Sequence, residues 1–321
     1  MKLNHLRHVV MVADKGGLRA AARQLGVAQP AITRSIAEAE KAIGAPLFER
    51  SARGAVLTAV GERFLVRAAA ILAELERAQE EASQMLGEGV GKVRVVLSTA
   101  PHLALLPQAL GPFRTKFPNV TLTLREGLFT RVHHEVEDGT LDFYVGPLYE
   151  AALPASLKSE LVFENRRVIL CRKGHPLRHA TALRQLTQAQ WISTTVTENM
   201  DAELGPAFQA QGLPSPAIKL HAQSSLTMTL AAAHSDLMVM VPQQWLDFPT
   251  TRELLDQVHV REPLAAPAIY AVRRRRLPLT PAAQYLYDLL LRYGQEIGAR
   301  RAQRRRGEAK HPGRRSVSTD A

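Results

Sequence analysis

One long stretch without helix-breaking residues constrains this chain more than any other feature. After Thr58, which suits a helix N-cap, the sequence AVGERFLVRAAAILAELERAQEEASQMLGEG has no proline and a single internal glycine before its final GEG. It predicts one continuous helix over residues 59–88. That helix separates a head at residues 1–58 from a body at residues 89–297.

Apolar residues recur along this predicted helix at alternating steps of four and three. A narrow apolar stripe with charged flanks is typical of a helix that pairs with a second copy of itself. The alternative is an amphipathic helix that packs on its own chain. The residues predicted to pair two chains are Phe64, Ala68, Ile71, Leu75, Ala78, Ala82 and Met85.

The positive charge of the chain is concentrated at its two ends. Residues 1–58 carry nine Lys or Arg against four Asp or Glu, and residues 298–321 carry eight against two, whereas residues 59–297 are balanced. A basic head on a neutral body suggests a polyanionic partner, most simply nucleic acid. A basic surface that serves solubility alone is the alternative. The tail at 298–321 is poor in apolar residues, so we expect it to be disordered.

Other global features favour a cytoplasmic protein of two or three folded units. The chain has 321 residues, enough for more than one core. No apolar run approaches the roughly 20 residues that span a bilayer, and the first turns lack the apolar core of a secretory signal. The single cysteine, Cys171, cannot form an internal disulfide.

The head has the pattern of a winged helix-turn-helix. Two short helices end at the glycines of DKGG and of RQLG, and the turn GVAQP leads into a third helix with Pro30 in its first turn. Ile32, Ile36, Ala39 and Ile43 share one face of that helix. The segment PLFERSARGAVLT then predicts a β-hairpin. An exposed third helix beside a hairpin with arginines predicts contact with DNA.

These motifs resemble those of LysR-type transcriptional regulators, in the stretch GGLRAAARQLGVAQPAITRSIAEAEKAIGAPLFERSARGAVLTAVGERFL. The chain departs from the family pattern at Ala28, where a serine usually caps the third helix, and at Ala39, which replaces a leucine. The resemblance places the start of the third helix in the major groove, with Arg34 as the best candidate for reading a base. The implied DNA-binding residues are Arg19, Gln29, Pro30, Thr33, Arg34, Lys41, Arg50 and Arg53.

The body alternates predicted strands and helices, which indicates an α/β fold. Hydroxyl residues follow several of its strands, where ligands of such sheets bind near the helix N-termini. A single Ser or Thr at such a position is more often only a helix cap. Their recurrence predicts a site for a small organic anion. The candidate effector-binding residues are Ser98, Thr99, Thr130, Thr194, Thr195 and Ser224.

The resemblance implies a body of two lobes similar to periplasmic solute-binding proteins, with the chain crossing between them near residues 162–166 and 265–269. Lobe I would comprise about residues 89–162 and 268–297, and lobe II about residues 163–267. Several stretches are similar to family members that sense aromatic or other organic acids, including the toluenesulfonate-responsive type. Implied partners are double-stranded DNA, a small-molecule effector, one or three further copies of the chain, and RNA polymerase as a further candidate.

No catalytic constellation, cofactor motif or metal-ligand spacing is recognisable in the sequence, so we expect neither an enzyme nor a metalloprotein. His133 and His134 are adjacent in sequence, a spacing that places them poorly to ligate one metal ion. Two alternatives stay open: a solute-binding or enzymatic α/β protein tethered by a basic head, and a DNA-compacting protein without site preference. The target genes, the effector, the direction of regulation and the number of subunits are left open by the sequence.

Overall fold

The structure is a computed structural model, and it describes residues 1–51, 54–87, 89–149, 153–193, 204–222 and 224–310. Three units follow one another along the chain: a helical head with a hairpin, a long helix and a body with two sheets. Among the described residues, no helix combines the length and the apolar character needed to cross a membrane.

The head packs three helices around a small apolar core. Val9 and Val12 of the first helix meet Ile32 and Ile36 of the third, with Leu47 closing the core. The next two strands form an antiparallel hairpin. The elements of the head are α1 Leu3–Lys15, α2 Leu18–Leu25, α3 Gln29–Ile43, β1 Phe48–Ser51 and β2 Gly54–Leu57.

The long helix, α4 Ala59–Met85, begins as the sequence predicts. The Thr58 hydroxyl accepts a hydrogen bond from the Gly61 amide at 2.9 Å and donates one to the Pro46 carbonyl at 2.8 Å. A side chain at Gly61 would meet the Leu47 carbonyl oxygen, so only glycine allows the helix to start this close to the hairpin. The cap and the glycine therefore fix the direction in which α4 leaves the head.

Lobe I is built on a five-stranded sheet in the order β4-β3-β5-β12-β6. β3 pairs parallel with β4 and β5, whereas β12 is antiparallel to both of its neighbours. Its strands are β3 Gly91–Leu97, β4 Val120–Glu126, β5 Phe143–Pro147, β6 Leu157–Phe163 and β12 Ile269–Arg274. Its helices are α5 Thr99–Ala104, α6 Leu106–Lys116, α7 Phe129–Asp138 and α11 Pro281–Lys310.

Lobe II has a second five-stranded sheet, in the order β11-β7-β10-β8-β9. Its strands are β7 Arg167–Arg172, β8 Gln190–Ser193, β9 Ala217–His221, β10 Leu237–Pro242 and β11 Leu255–Val258. Its helices are α8 Gly205–Gln209, α9 Ser225–Ala233 and α10 Pro249–Leu254, with 3-10 turns at Leu183–Leu186 and Gln243–Asp247. The two segments that cross between the lobes meet in an isolated antiparallel bridge between Arg166 and Ala265.

The C-terminal segment differs from the sequence-based expectation. We expected disorder from residue 298, but α11 continues to Lys310, and only residues 311–321 lie outside the described residues. The prediction is therefore wrong for residues 298–310. Arginine and alanine, which make up eight of the thirteen residues of that segment, are strong helix formers, and the helix already anchored on lobe I needs no new nucleus to extend.

Candidate DNA-binding face and effector cavity

The N-terminal half of α3 presents an exposed polar face. Gln29, Pro30, Thr33, Arg34 and Ala37 together form a shallow surface on the outside of the head. The Thr33 hydroxyl donates to the Gln29 carbonyl at 3.1 Å, which is an ordinary intrahelical contact. Among the described residues, no hydrogen-bond or ion-pair partner contacts the Arg34 guanidinium, so this face is open to contact from outside.

The other predicted DNA-binding residues lie on different elements of the head, except for one outside the described residues. Arg19 is exposed in the first turn of α2, and Lys41 is exposed in the last turn of α3. Arg50 lies in β1 of the hairpin, paired in register with Ala55, whereas Arg53 lies outside the described residues.

The junction between α3 and the hairpin is held by a carboxylate. Glu40 accepts hydrogen bonds from the backbone amides of Leu47 and Phe48, at 2.8 and 3.2 Å. The start of α3 has no such support, since Ala28 occupies the N-cap position without a side-chain hydrogen bond. The end that faces outward is therefore the less stabilised end of the helix.

A cavity of about 170 Å³ lies between the two lobes. Its volume is close to that of a cavity that admits one benzene molecule, on the order of 150 Å³. Ala100, Leu128, Met228 and Ile269 contribute apolar surface. The polar and charged residues of the wall are Ser98, Thr99, Glu126, Arg131, Tyr149, Asn165, Arg167 and Ser225.

Ser98 and Thr99 both line the cavity, as the sequence predicts, but their hydroxyls have different surroundings. Ser98 Oγ is buried and has no hydrogen-bond partner among the described residues. Thr99 Oγ1 donates to Glu126 Oε1 at 2.6 Å. The Ser225 hydroxyl also donates to that carboxylate, at 3.1 Å to Oε1 and 3.0 Å to Oε2. Glu126 thus joins the start of α5 in lobe I to the start of α9 in lobe II.

Two predicted effector-binding residues lie outside the cavity wall. Thr130 is exposed on α7, and the Ser224 hydroxyl caps α9 by accepting from the Thr227 amide at 3.4 Å. Their neighbours Arg131 and Ser225 line the cavity instead. Adjacent residues at a helix start project about 100° apart, so an error of one position moves a side chain out of the site. Thr194 and Thr195 lie outside the described residues.

The sequence analysis gives no role to the cavity-lining residues Glu126, Arg131, Asn165 and Arg167, and it selects Ser224 rather than the adjacent hydroxyl residue Ser225. Glu126 ends β4, so the rule that directed attention to strand ends could have found it. Charged residues thus share these positions with the hydroxyl residues that predict the site.

The predicted pairing stripe of α4 is divided in the structure. Ala68 is fully buried, and the partly buried Phe64 packs against the core of the head, so both residues contact their own chain, and their role in pairing stays a prediction. The later part of the stripe is open: Ile71 is 50% exposed and Met85 is 75% exposed. Ala78 and Ala82 are also exposed, and Leu75 is partly exposed.

The opposite side of α4 is fixed to lobe I by charged groups. Glu74 Oε2 pairs with Arg77 Nη2 at 2.6 Å and with Arg274 Nη1 at 2.8 Å. The Arg77 guanidinium also donates to the carbonyl of Gly139, at the end of α7. Burial alone would raise the pKa of Glu74, but the hydrogen bonds and charges of the two arginines outweigh it and lower that pKa below its usual value.

A second set of contacts extends this attachment. Glu76 pairs with Lys92 Nζ at 2.9 Å and with Arg94 Nη2 at 3.0 Å, both on β3. Two elements of lobe I therefore connect the cavity to α4. α7 has Arg131 at the cavity and is followed by Gly139 at Arg77, and β12 has Ile269 at the cavity and Arg274 at Glu74.

Comparison with known proteins assigns both halves of the chain. Residues 3–62 match the model of the bacterial regulatory helix-turn-helix protein, lysR family, and residues 87–295 match the LysR substrate binding domain. The chain belongs to the LysR family. This LysR-family protein is therefore a DNA-binding regulator of transcription with an effector-binding domain, and the fold class predicted from the sequence is confirmed.

Similar regulators cover three quarters or more of this LysR-family chain. The HTH-type transcriptional regulator TdcA of Escherichia coli (strain K12) is 26% identical over 302 residues, which are 94% of this chain and 96% of that protein. The SDS degradation transcriptional activation protein of Pseudomonas sp. (strain ATCC 19151) is 29% identical over 244 residues, 75% of this chain and 78% of its own length.

Solved structures agree in fold. CbnR, a LysR family transcriptional regulator, has a TM-score of 0.67 at 20% identity, with 92% of this chain and 99% of that chain covered. Full-length CbnR complexed with its target DNA gives the same TM-score at 20% identity, over 91% and 100% of the two chains. At this identity the similarity shows the architecture alone.

A histidine pair on α7 is closer to a possible ligand set than its sequence spacing indicates. Candidate ligand atoms of His133, His134 and Glu137 lie within 4.8 Å of one another. His133 Nδ1 is 3.2 Å from the Thr130 carbonyl, and Glu137 accepts from the Ser156 hydroxyl at 2.7 Å. The three groups lie on the surface and already have protein partners, which is usual for solvated side chains.

Proposed function

We propose that this protein is a sequence-specific regulator of transcription whose activity is controlled by a small organic acid bound between its two lobes. The observation that carries the effector part is Ser98, whose hydroxyl is buried in the cavity wall without a hydrogen-bond partner among the described residues. A buried polar group left unpaired costs about 1–3 kcal/mol. A ligand that bonds this hydroxyl removes that cost.

The charges of the cavity wall support an acidic effector. Arg131 and Arg167 contribute two positive charges and Glu126 one negative charge, so the wall has an excess of one positive charge. Arginine matches a carboxylate or sulfonate through paired N–H donors. The apolar residues around these groups suit a small carbon skeleton, as is usual for ligand cavities.

The outer face of α3 is the proposed reader of DNA. Gln29, Thr33 and Arg34 lie at the helix end that enters the major groove in helix-turn-helix proteins, where glutamine and arginine bond base edges. Pro30 shapes that end of the helix. The proposed backbone contacts are Arg19, Lys41, Arg50 and Arg53.

A homodimer or homotetramer would give two such heads to one site. The exposed part of the α4 stripe, from Ile71 to Met85, is the proposed pairing surface, because apolar residues at steps of three and four suit a second copy of the same helix. Two linked heads raise the effective concentration of the second contact. A bacterial regulator of this kind works on DNA in the cytoplasm, with RNA polymerase as a candidate partner.

The effector would act by favouring one arrangement of the heads. A ligand shifts such an equilibrium only to the extent that it binds the two arrangements with different affinity. The attachment of α4 to lobe I through Glu74 and Arg77 supports this mechanism, since a change in lobe I reaches the helix that carries the head.

The test is a footprint of the purified protein on the DNA upstream of its own gene, at fixed salt. Salt must be controlled because phosphate contacts release counterions and make affinity strongly salt-dependent. We expect protection of an inverted repeat whose boundary shifts with one compound from a panel of aromatic carboxylates, sulfonates and amino acids. Weak, uniform protection that no compound alters would contradict the proposal and favour a DNA-compacting protein.

A further inference from the structure

One acidic side chain lies in a wall that otherwise suits acids. Glu126 ends β4, and its carboxylate accepts from Thr99 of lobe I and from Ser225 of lobe II. The hydroxyls that would have bound an anionic effector at these two helix starts are therefore already bound to a carboxylate of the protein. An effector carboxylate in the same place would displace it.

The Glu126 carboxylate is exposed in the cavity wall and retains acceptor capacity. A carboxylate offers about four lone-pair positions. The contacts from Thr99 and Ser225 engage Oε1 twice and Oε2 once, and Glu126 is one of the cavity-lining residues. A cavity-facing negative charge repels a pure organic acid and attracts a group with positive charge. Its presence beside Arg131 and Arg167 makes the wall complementary to a ligand with both signs of charge.

We infer that the effector is an amino acid or another small amino carboxylate. Its ammonium group binds Glu126, and its carboxylate binds the side of the wall that holds Arg131 and Arg167. Ser225 and Thr99 fix the Glu126 carboxylate between the lobes, so the ligand contacts a group that depends on both. This inference rests on the proposed function, and it makes Glu126 the residue that selects the class of effector.

The experiment compares ligands that differ only in the amino group. Full-length protein is screened by thermal shift with the twenty standard amino acids, and each hit is measured by calorimetry beside the same acid without its amino group. Phenylalanine and 3-phenylpropanoate form one such pair. We expect the amino acid to bind about 10- to 100-fold more tightly, the range for a hydrogen bond between charged groups.

The same pair is then measured with variants of the carboxylate. Glu126→Gln should remove most of the preference for the amino acid over the deaminated acid, because only the affinity for the amino acid falls. Glu126→Asp should keep part of that preference because the negative charge remains. Glu135→Gln is the matched control, since Glu135 pairs with Arg125 on the surface and does not line the cavity. The Glu135→Gln variant should prefer the amino acid over the deaminated acid as strongly as the unmodified protein does.

Two outcomes separate this inference from the proposed function. Tighter binding of the deaminated acid, with a further gain in Glu126→Gln, would overturn the inference and mean that the effector displaces Glu126 from the two hydroxyls. The protein would then still be an acid-responsive regulator. Binding of neither member of any pair, with DNA protection insensitive to every compound, would overturn both.

Discussion

The guanidinium group of Arg77 in α4 donates a hydrogen bond to the carbonyl oxygen of Gly139, the residue that ends α7. Arg77 is buried although it carries a full charge, and Glu74 balances that charge at 2.6 Å. The contact joins the helix that carries the DNA-binding head to the lobe that holds most of the polar cavity wall. We therefore expect a change around a bound effector to reach α4 at this contact.

Replacing Arg77 should separate effector binding from the DNA response. We expect Arg77→Ala to lower the free energy of unfolding by about 1.5–3 kcal/mol, the value of a hydrogen bond to a charged group. Effector affinity should stay within a few-fold, while the shift in DNA affinity caused by the effector should shrink. Arg67→Ala, an exposed arginine of the same helix, is the control. An undiminished shift in Arg77→Ala would show that the signal takes another route.

Arg34 should distinguish specific from nonspecific DNA. An arginine that bonds a base edge in two places contributes about 1–3 kcal/mol of discrimination. We therefore expect Arg34→Ala to weaken binding to the protected site by that amount in a gel-shift titration and to leave binding to unrelated DNA nearly unchanged. Lys41→Ala should weaken binding to both DNAs by the same amount and reduce the salt dependence of the affinity. If Arg34→Ala lost equal affinity for the two DNAs, Arg34 would be a phosphate contact rather than a base contact.

The uncapped start of α3 predicts a stabilising substitution. Ala28 has the extended backbone of an N-cap, with φ −69° and ψ 138°, so a serine there can accept from the helix backbone without rearrangement. Ala28→Ser should raise the free energy of unfolding of the head by about 1 kcal/mol in chemical denaturation. Ala37→Ser, on the exposed face of the same helix, should lower it by about 0.5 kcal/mol. Equal effects would exclude capping as the cause.

A charge in the exposed part of the α4 stripe should break the oligomer. Ile71 is 50% exposed, and Val66, off the stripe, is 53% exposed on the same helix. Ile71→Glu should lower the mass measured by light scattering at micromolar concentration, because a glutamate in a helix-pairing seam loses its hydration. Val66→Glu should leave the mass unchanged. The reverse pattern would place the pairing surface on another face of α4.

Cys171 should resist thiol reagents in the folded protein. It is fully buried in β7, and burial raises the pKa of its thiol to about 11. A rise of about two pH units lowers the thiolate fraction by roughly 100-fold near neutral pH, and the thiolate is the reactive form. Ellman's reagent at pH 8 should therefore react slowly with native protein and at once in guanidinium. Fast native reaction would reveal local opening of β7.

Much of this architecture follows from patterns that are local in the sequence. The third helix, the hairpin and the cap at Thr58 depend on residues within a few positions of one another, and the sequence predicts them correctly. The strands of the body are also readable, except β11, whose sequence LDQV has too few apolar residues to be recognised. β11 lies at the edge of its sheet, and this position explains how the strand tolerates polar residues.

The cavity could be predicted only in part because its decisive contacts are distant in sequence. Glu126 and Ser225 lie 99 residues apart and in different lobes, so no spacing rule connects them. The sequence also cannot show which of two adjacent hydroxyls, Ser224 or Ser225, faces inward, since that depends on where α9 begins. The position of Arg77 could not be predicted for the same reason. In the sequence it is one of the charged residues that flank a predicted pairing stripe, yet in the structure its guanidinium is buried against lobe I.

The bridge between Arg166 and Ala265 has a mechanical consequence. The two segments that connect the lobes run side by side there, with the Arg167 amide bonded to the Leu264 carbonyl at 3.1 Å, so we expect any rotation between the lobes to turn about an axis along this pair of segments. Asn165 and Ala266, next to that axis, also line the cavity. A bound molecule would thus contact the connecting segments as well as both lobes. The length of that molecule would then set the angle between the two lobes, and a longer ligand would hold them further apart.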